Sequence, residues 1–379
     1  MSRLRVAFVQ LIVPHYRLPV FDALAAAPEI ELTVIADGEQ PEGSLESVPH
    51  LGSFPFEHAP WRRLRSFVSQ PALLAAARSK RFDAIILPWN TRIVQLFPAL
   101  LAARRRGVRT VLFGHGFSKR ESAVRRRLRN AALACADAAL LYGEAAIGRL
   151  VEEGFPRTKL FLARNAIDQR PIQRARAEWL DDPERLDAFR RAERIVGREL
   201  AVFVSRLEPD KRVDLLLRAF AELRRRRPAA RLALIGKGSQ TEALRALAAE
   251  LGVADATSFA GALYDDRELA PWMLSAAAFA FPAAIGLSIL HALGYGLPVV
   301  TSDDLAAHNP EIEALRPEVN GLLYRDGDPV DFAAKLDVLM EGGEAWQRMS
   351  EAAHRTVLGP DGYSVERMVE GIVEAVRPR

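Results

Sequence analysis

With 379 residues, 49% of them hydrophobic and 26% charged, the chain exceeds one ordinary domain and fits two of roughly 170–200 residues. Its single cysteine, Cys135, excludes an internal disulfide and a cysteine-built metal site, and no apolar run approaches the ~20 residues of a membrane span. The net charge of +4 hides an asymmetry: residues 1–168 carry 24 Lys and Arg against 15 Asp and Glu, the remainder 28 against 33. The first half is therefore the one expected to meet an anionic partner or surface.

Residues Ser2–Arg5 lead straight into a strand pattern with no cleavage site, so a cytoplasmic protein is expected. Apolar, β-branched runs then alternate with Ala- and Leu-rich helical stretches, the pattern of parallel sheets covered by helices. In the first half, strands are predicted at Arg5–Gln10, Glu31–Ala36, Ala84–Leu87, Arg109–Phe113, Ala138–Tyr142 and Leu160–Leu162. Three strand ends carry chemistry-bearing loops: Pro14-His15-Tyr16-Arg17, Trp89-Asn90-Thr91-Arg92 and Gly114-His115-Gly116. Basic clusters fall at Arg62, Arg63 and Arg65, at Arg104–Arg106, and at Lys119, Arg120, Arg125–Arg127 and Arg129. Taken singly, each can be a solvated face. Lys119–Leu133 reads as a basic amphipathic helix suited to anionic lipid on the inner face of the cytoplasmic membrane.

The charged segment 169–198 reads as a helical connector between a first domain at 1–168 and a second at 199–360. Second-half strands are predicted at Leu200–Val204, Ala230–Ile235, Ser258–Ala260, Ala278–Phe281, Val299–Thr301 and Gly321–Leu323. In a doubly wound sheet, ligands bind beyond the carboxyl ends of the strands. Three segments fall there: Ser205–Lys211, Gly236-Lys237-Gly238, and the start of a helix at Gly286, Leu287 and Ser288. Arg206 offers a planar two-toothed donor and Lys211 a mobile ammonium, so the pair suits a diphosphate, although each alone is an ordinary loop cation. Gly236 and Gly238 would let a ligand approach the main chain, and the helix start would offer unpaired N–H groups to an anion. No loop matches the Gly-rich dinucleotide fingerprint or the Lys-Ser/Thr phosphate loop, so hydride transfer and ATP hydrolysis are poorly supported. The last segment, 361–379, has apolar residues at helical spacing (Val365, Met368, Val369, Ile372, Val376) and needs a surface to dock on, expected to be the first domain.

Assembled, these residues resemble family four of the retaining nucleotide-sugar glycosyltransferases. Ala136-Asp137-Ala138 with Tyr142-Gly143-Glu144, Ala163–Asp168, Phe203–Leu207 with Lys211, the Gly-x-Gly segment within 230–247, Pro310-Glu311 and Asn320–Leu323 are similar to successive motifs of that family. The resemblance implies the GT-B fold of two facing Rossmann-like domains and a nucleotide-sugar donor, UDP-linked by default or GDP-linked. The acceptor implied is a glycan or a lipid-linked molecule, and nucleic acid is not an expected partner. It gives catalytic roles to His115, Arg206 and Lys211, and donor contacts to Asn165, Gly236, Gly238, Gly286, Leu287, Ser288, His291 and Glu311. The acceptor side falls to His15, Arg17, Trp89 and Asn90. No metal is implied, Asp265-Asp266 and Asp303-Asp304 being read as surface turns.

Two departures stand out. The family's two glutamates, eight positions apart, correspond here to Ala283 and His291, and Pro14–Arg17 replaces the Gly-rich loop after the first strand. His291 can still bond a ribose diol through one ring nitrogen. Loss of both acids also admits a catalytically silent homologue acting as a binding subunit of a polysaccharide-assembly complex. An epimerase or phosphorylase lacks the expected acidic residues.

Overall fold

The computed structural model describes residues 3–39, 52–117 and 122–378. It divides into two compact α/β units, Met1–Ile167 with Ser364–Arg379, and Asp168–Tyr363.

The first unit contains β1 (Leu4–Ile12), β2 (Ile30–Asp37), β3 (Phe56–His58), β4 (Arg62–Leu64), β5 (Phe67–Ser69), β6 (Ala84–Pro88), β7 (Arg109–Gly114), β8 (Ala138–Leu141) and β9 (Leu160–Leu162). Seven of these form one parallel sheet in the order β3-β2-β1-β6-β7-β8-β9. Its strands are apolar on both faces because both are covered. Ala7, Val9 and Leu11 belong to one buried cluster, Val6 and Phe8 to the other, as the two-residue period of a strand requires. The helix Val365–Val376 closes the second cluster with Met368, Ile372 and Val376, and the Arg109 Nε donates to Ala375 O at 2.8 Å.

β4 and β5 form a separate antiparallel hairpin, Leu64 opposite Phe67, turning through Arg65 and Ser66. Sequence spacing does not predict it: each strand has three residues and one is mostly arginine.

The second unit adds β10 (Leu200–Val204), β11 (Arg231–Ile235), β12 (Thr257–Gly261), β13 (Ala278–Phe281), β14 (Val299–Ser302) and β15 (Gly321–Tyr324). They pair in parallel in the order β12-β11-β10-β13-β14-β15, a Rossmann arrangement whose direction reverses between β10 and β13. The corresponding reversal in the first unit lies between β1 and β6.

Residues 169–198 are largely helical, as expected of this segment. They form the helices Gln169–Leu180 and Pro183–Ala192 and belong to the second unit. The Trp179 indole donates to Arg267 O at 2.8 Å, Phe189 packs edge-on against Trp179 and Trp272, and Gln173 donates to Gly294 O at 2.8 Å. These apolar and amide anchors fix the segment on the helices Asp266–Ser275 and Ser288–Gly294.

Candidate functional site

In the second unit, the loops after β10 and β11 are joined main chain to main chain. Ser205 N donates to Ile235 O at 3.1 Å, Leu207 N to Lys237 O at 3.0 Å, and Gln240 N to Leu207 O at 3.0 Å. Gly236 and Gly238 serve this junction, where a side chain has no room. A Cβ on Gly236, whose φ is +151°, would lie 1.8 Å from Ser205 O, and one on Gly238 would lie 2.2 Å from Leu207 O. The joined loops carry the cations. Arg206 is exposed, while Lys211 sits at the end of a short 3-10 turn, its Nζ 2.8 Å from Asp210 Oδ2. The Lys211 hydrogen bond holds the Asp210 carboxyl below the usual carboxylate range against the opposing effect of burial, and the charges of Lys211 and Arg206 add to it. Asp210 is thus the ion-pair partner of Lys211 in the turn that also carries Arg206. Glu208 accepts from Ser239 N and Oγ at 3.0 and 2.6 Å, tying the same turn to the β11 loop.

The segment after β13 is also locked. Ile285 N donates to His308 Nδ1 at 3.0 Å, which leaves the ring proton on Nε2 to donate to Ser302 O at 2.9 Å. Tyr324 OH donates to Pro282 O at 2.6 Å, and a Cβ on Gly286 would lie 2.8 Å from the Asn309 amide nitrogen. His308 and Tyr324 are structural members of the site that the sequence does not single out. Leu287 caps the seven-residue helix Ser288–Gly294, with no side-chain cap bond. Glu311 lies buried in the 3-10 turn Pro310–Ala314.

His291 is not free for a diol through both ring nitrogens. Its Nε2 lies 2.7 Å from Asp266 Oδ1, and Tyr295 OH bonds the same residue at 3.1 and 3.3 Å. Burial, with Asp266 adding to it, pushes the Tyr295 phenol well above its ordinary range, so it remains a donor. Asp266 is therefore a partner of His291 and Tyr295 rather than part of a bare surface turn. The sequence hides it because it lies 25 positions from His291.

In the first unit, the ends of β1, β6 and β7 enclose a pocket of about 560 Å³ that includes Tyr16, Trp89, Asn90, His115, Arg129 and Tyr142. No acidic side chain among the described residues lines it, while Arg92, Arg125 and Arg129 do. His115 is exposed, its ring 5.0 Å from that of Tyr142. The Asn90 Oδ1 accepts from Arg92 N at 3.0 Å and the Trp89 indole donates to Arg129 O at 3.4 Å. Arg129 is buried, bonded to Gly116 O and paired with Glu153 at 2.9 Å, which Asn130 also bonds at 2.9 Å. It thereby joins the helix Ala123–Cys135 to the loop after β7.

Two acceptor-side expectations change. Arg17 is 3% exposed and does not line the pocket. It lies within 5.5–5.7 Å of the Tyr16, Phe113 and Tyr142 rings and donates to Met368 Sδ at 3.0 Å and Tyr142 OH at 3.4 Å. It braces the aromatic floor from beneath. His15 is exposed, edge-on to Tyr16 and outside the lining. Asn165 is buried in the segment after β9 and belongs to the first unit.

Two family models cover most of the chain: residues 22–170 match Glycosyltransferase Family 4 and residues 185–356 match Glycosyl transferases group 1. The chain belongs to the GT4-like glycosyltransferases. This GT4-like chain is 34% identical over 191 residues to the D-inositol 3-phosphate glycosyltransferase of Frankia alni, covering 47% of this chain and 45% of that one. It is 33% identical over 163 residues to the GDP-mannose-dependent alpha-(1-6)-phosphatidylinositol monomannoside mannosyltransferase of Mycobacterium tuberculosis, covering 40% and 41%. It thus spans less than half the length of these curated relatives. Among solved GT-B structures, Anabaena HepE in complex with UDP superposes with a TM-score of 0.73 at 16% identity over 99% of both chains. A Rickettsia africae glycosyltransferase gives 0.74 at 13% identity, over 99% of this chain and 98% of that one. Among the described residues no helix is long and apolar enough to cross a membrane, and no three His, Cys, Asp or Glu residues are grouped to hold a metal ion.

Proposed function

We propose that this chain is a metal-independent retaining hexosyltransferase that moves a sugar from a nucleotide-sugar to a hydroxyl of a glycan or lipid-linked acceptor in surface polysaccharide or glycolipid assembly. The observation that carries the reading is the Arg206–Lys211 pair, held on joined loops at the reversal point of the second sheet, with Lys211 on Asp210. A donor diphosphate would take the place of Asp210 on Lys211 and engage Arg206 as well. As the glycosidic bond loosens, charge gathers on the departing phosphate, and these two cations neutralise it. The N–H groups of Gly286, Leu287 and Ser288 add donors on the same side, His291 takes the ribose through the ring nitrogen not engaged by Asp266, and Glu311 completes the donor contacts of the second unit. UDP is the default base; a relative's GDP-mannose dependence keeps GDP open.

The acceptor enters the first-unit pocket, with Trp89, Asn90 and His115 toward its hydroxyls and with a wall that, among the described residues, is cationic and free of acids, suited to an anionic group. The helix Ala123–Cys135, exposing Val124 and Leu128 among Arg125, Arg126 and Arg127, rests on an anionic membrane surface on the cytoplasmic side. The expected Lys119 and Arg120 contribution to that surface lies outside the described residues.

Calorimetric titration with UDP-, GDP- and ADP-sugars, followed by a turnover assay on each binder, tests the assignment. Arg206→Ala or Lys211→Ala is expected to lower turnover by about 10²–10³-fold, or roughly 2.7–4 kcal/mol. Unchanged turnover in both would sink it. Ala283 and the engagement of His291 by Asp266 favour one alternative, a silent binding subunit. Tight donor binding without turnover, even with acceptors supplied, would select it.

A further inference from the structure

The hairpin Arg62–Ser69 has a base built into the pocket rim and an exposed tip. At the base, Val68 N donates to Arg92 O at 2.9 Å, Val94 N to Val68 O at 3.0 Å, and Gln95 Nε2 to Ser69 Oγ at 2.8 Å. The next residue, Gln70, is fully buried and donates to Gln10 O at 2.7 Å. Arg92 and Gln10 themselves line the pocket. The ribbon is therefore rigidly placed beside it.

The tip has the opposite character. Leu64 and Phe67 form a cross-strand pair on one face, 49% and 53% exposed. Arg62, Arg63 and Arg65 surround them, and none makes an ion pair among the described residues. Between Glu57 and Asp83 the sequence holds six basic residues and no acidic one. A folded chain gains nothing internally from such a tip: two large apolar side chains remain in water, and three like charges repel.

The turn adds an independent sign. In the two-residue loop, Arg65 has φ of +54° and Ser66 is not in the positive range. A hairpin turn with only its first central residue in that region normally takes glycine there. Placing arginine costs roughly 1–2 kcal/mol of backbone strain. Strain kept at an exposed tip marks a side chain retained for contact with something else.

We propose that this hairpin docks the first unit on an anionic lipid surface. Leu64 and Phe67 enter the headgroup boundary, and Arg62, Arg63 and Arg65 bind lipid phosphates. The charge selects the occupant, because a cationic ribbon with an apolar point complements an anionic interface. The contact goes beyond the helix surface proposed above and is separate from it. The two flank the same loop: Trp89 bonds Arg129 O of that helix and Arg92 O accepts from Val68 of the hairpin. The pocket rim would then lie against the membrane, where a lipid-linked acceptor is presented.

Co-sedimentation of the full chain with phosphatidylcholine vesicles, with and without phosphatidylglycerol, tests it. Wild type is expected on the anionic vesicles only. Replacing Arg62, Arg63 and Arg65 by Ser should weaken binding on the order of a hundredfold, at about fivefold per arginine, and Leu64→Ser with Phe67→Ser about tenfold or more. Arg65→Gly guards against misfolding. It relieves the turn, so thermal stability should hold or rise while binding falls about fivefold. Phe67→Trp should be quenched by brominated lipid in anionic vesicles. Four results would overturn the proposal: no preference of wild type for anionic vesicles, hairpin variants that bind like wild type, no quenching, or equal binding to duplex DNA that ignores Leu64 and Phe67. Transfer to a soluble acceptor, unchanged in every hairpin variant, is read separately, so failure of the docking and failure of the transferase reading remain distinct.

Discussion

The two units build the ends of their sheets from different materials. In the second, the loops after β10, β11 and β13 are fixed by main-chain bonds, by glycines with no space for a Cβ, and by His308 and Tyr324 clamping carbonyls and amides. In the first, the walls are large side chains, Trp89, Tyr142 and Arg129, seated on one another. A main-chain frame fixes the position of the cations it carries and tolerates little change. A side-chain wall can be recut without refolding the sheet beneath it. The contrast suits the proposed division of labour, a diphosphate held by the second unit and an acceptor taken by the first.

The sharpest way to break this contrast is Gly236→Ala. The new Cβ meets Ser205 O, and the backbone lies where an L-residue is strained, so the second unit should lose about 4 kcal/mol or more. An unchanged denaturation midpoint would show that the joined loops are soft. Glu153→Gln probes the side-chain wall instead, leaving Arg129 buried without its carboxylate, at a cost of about 3 kcal/mol. Burial opposes the Glu153 charge, but bonds from Asn130 and Arg129 outweigh it and hold its carboxyl below the ordinary range. Its contribution is therefore present above the unfolded value of about 4.3 and lost as pH falls through the lower folded one. The wild-type advantage over the variant, measured by urea denaturation across that window, should shrink toward acid; a constant difference would contradict the pairing.

Arg17→Met sharpens the boundary between wall and foundation. No carboxylate among the described residues pairs with this buried cation, so an apolar replacement of similar length should be neutral or stabilising by about 1 kcal/mol, with the acceptor KM unmoved. A tenfold rise in that KM would return Arg17 to the pocket. The smallest effect is expected from Asp210→Asn. Releasing Lys211 from its exposed counter-ion should tighten donor binding about two- to fivefold, read by calorimetry. Weaker binding would mean that Asp210 orders Lys211 for the ligand.

Much of the scaffold is readable from the chain because buried parallel strands leave contiguous apolar runs, as in Leu200–Val204 and Ala278–Phe281. The hairpin at 62–69 escapes for the converse reason: exposed three-residue strands need no apolar pattern. Arg206 and Lys211 are legible as loop cations after a strand, but the Asp210 counter-ion of Lys211 appears only when the turn is folded. Glycine at 236 is visible, yet its purpose is not, since the carbonyl it avoids belongs to residue 205. Arg17 shows the same limit. An arginine after a strand looks like a ligand-binding group until Met368, 351 positions away, covers it.

That separation bears on how the molecule is made. The apolar face of the first sheet that carries Val6, Phe8 and Ile86 is closed by Met368, Ile372 and Val376, which leave the ribosome only after the whole second unit. The unit translated first must therefore wait, with one face bare, for the unit translated second. Completion of the first unit becomes the late event of folding, and a nascent chain paused within the second unit is the species most in need of a chaperone.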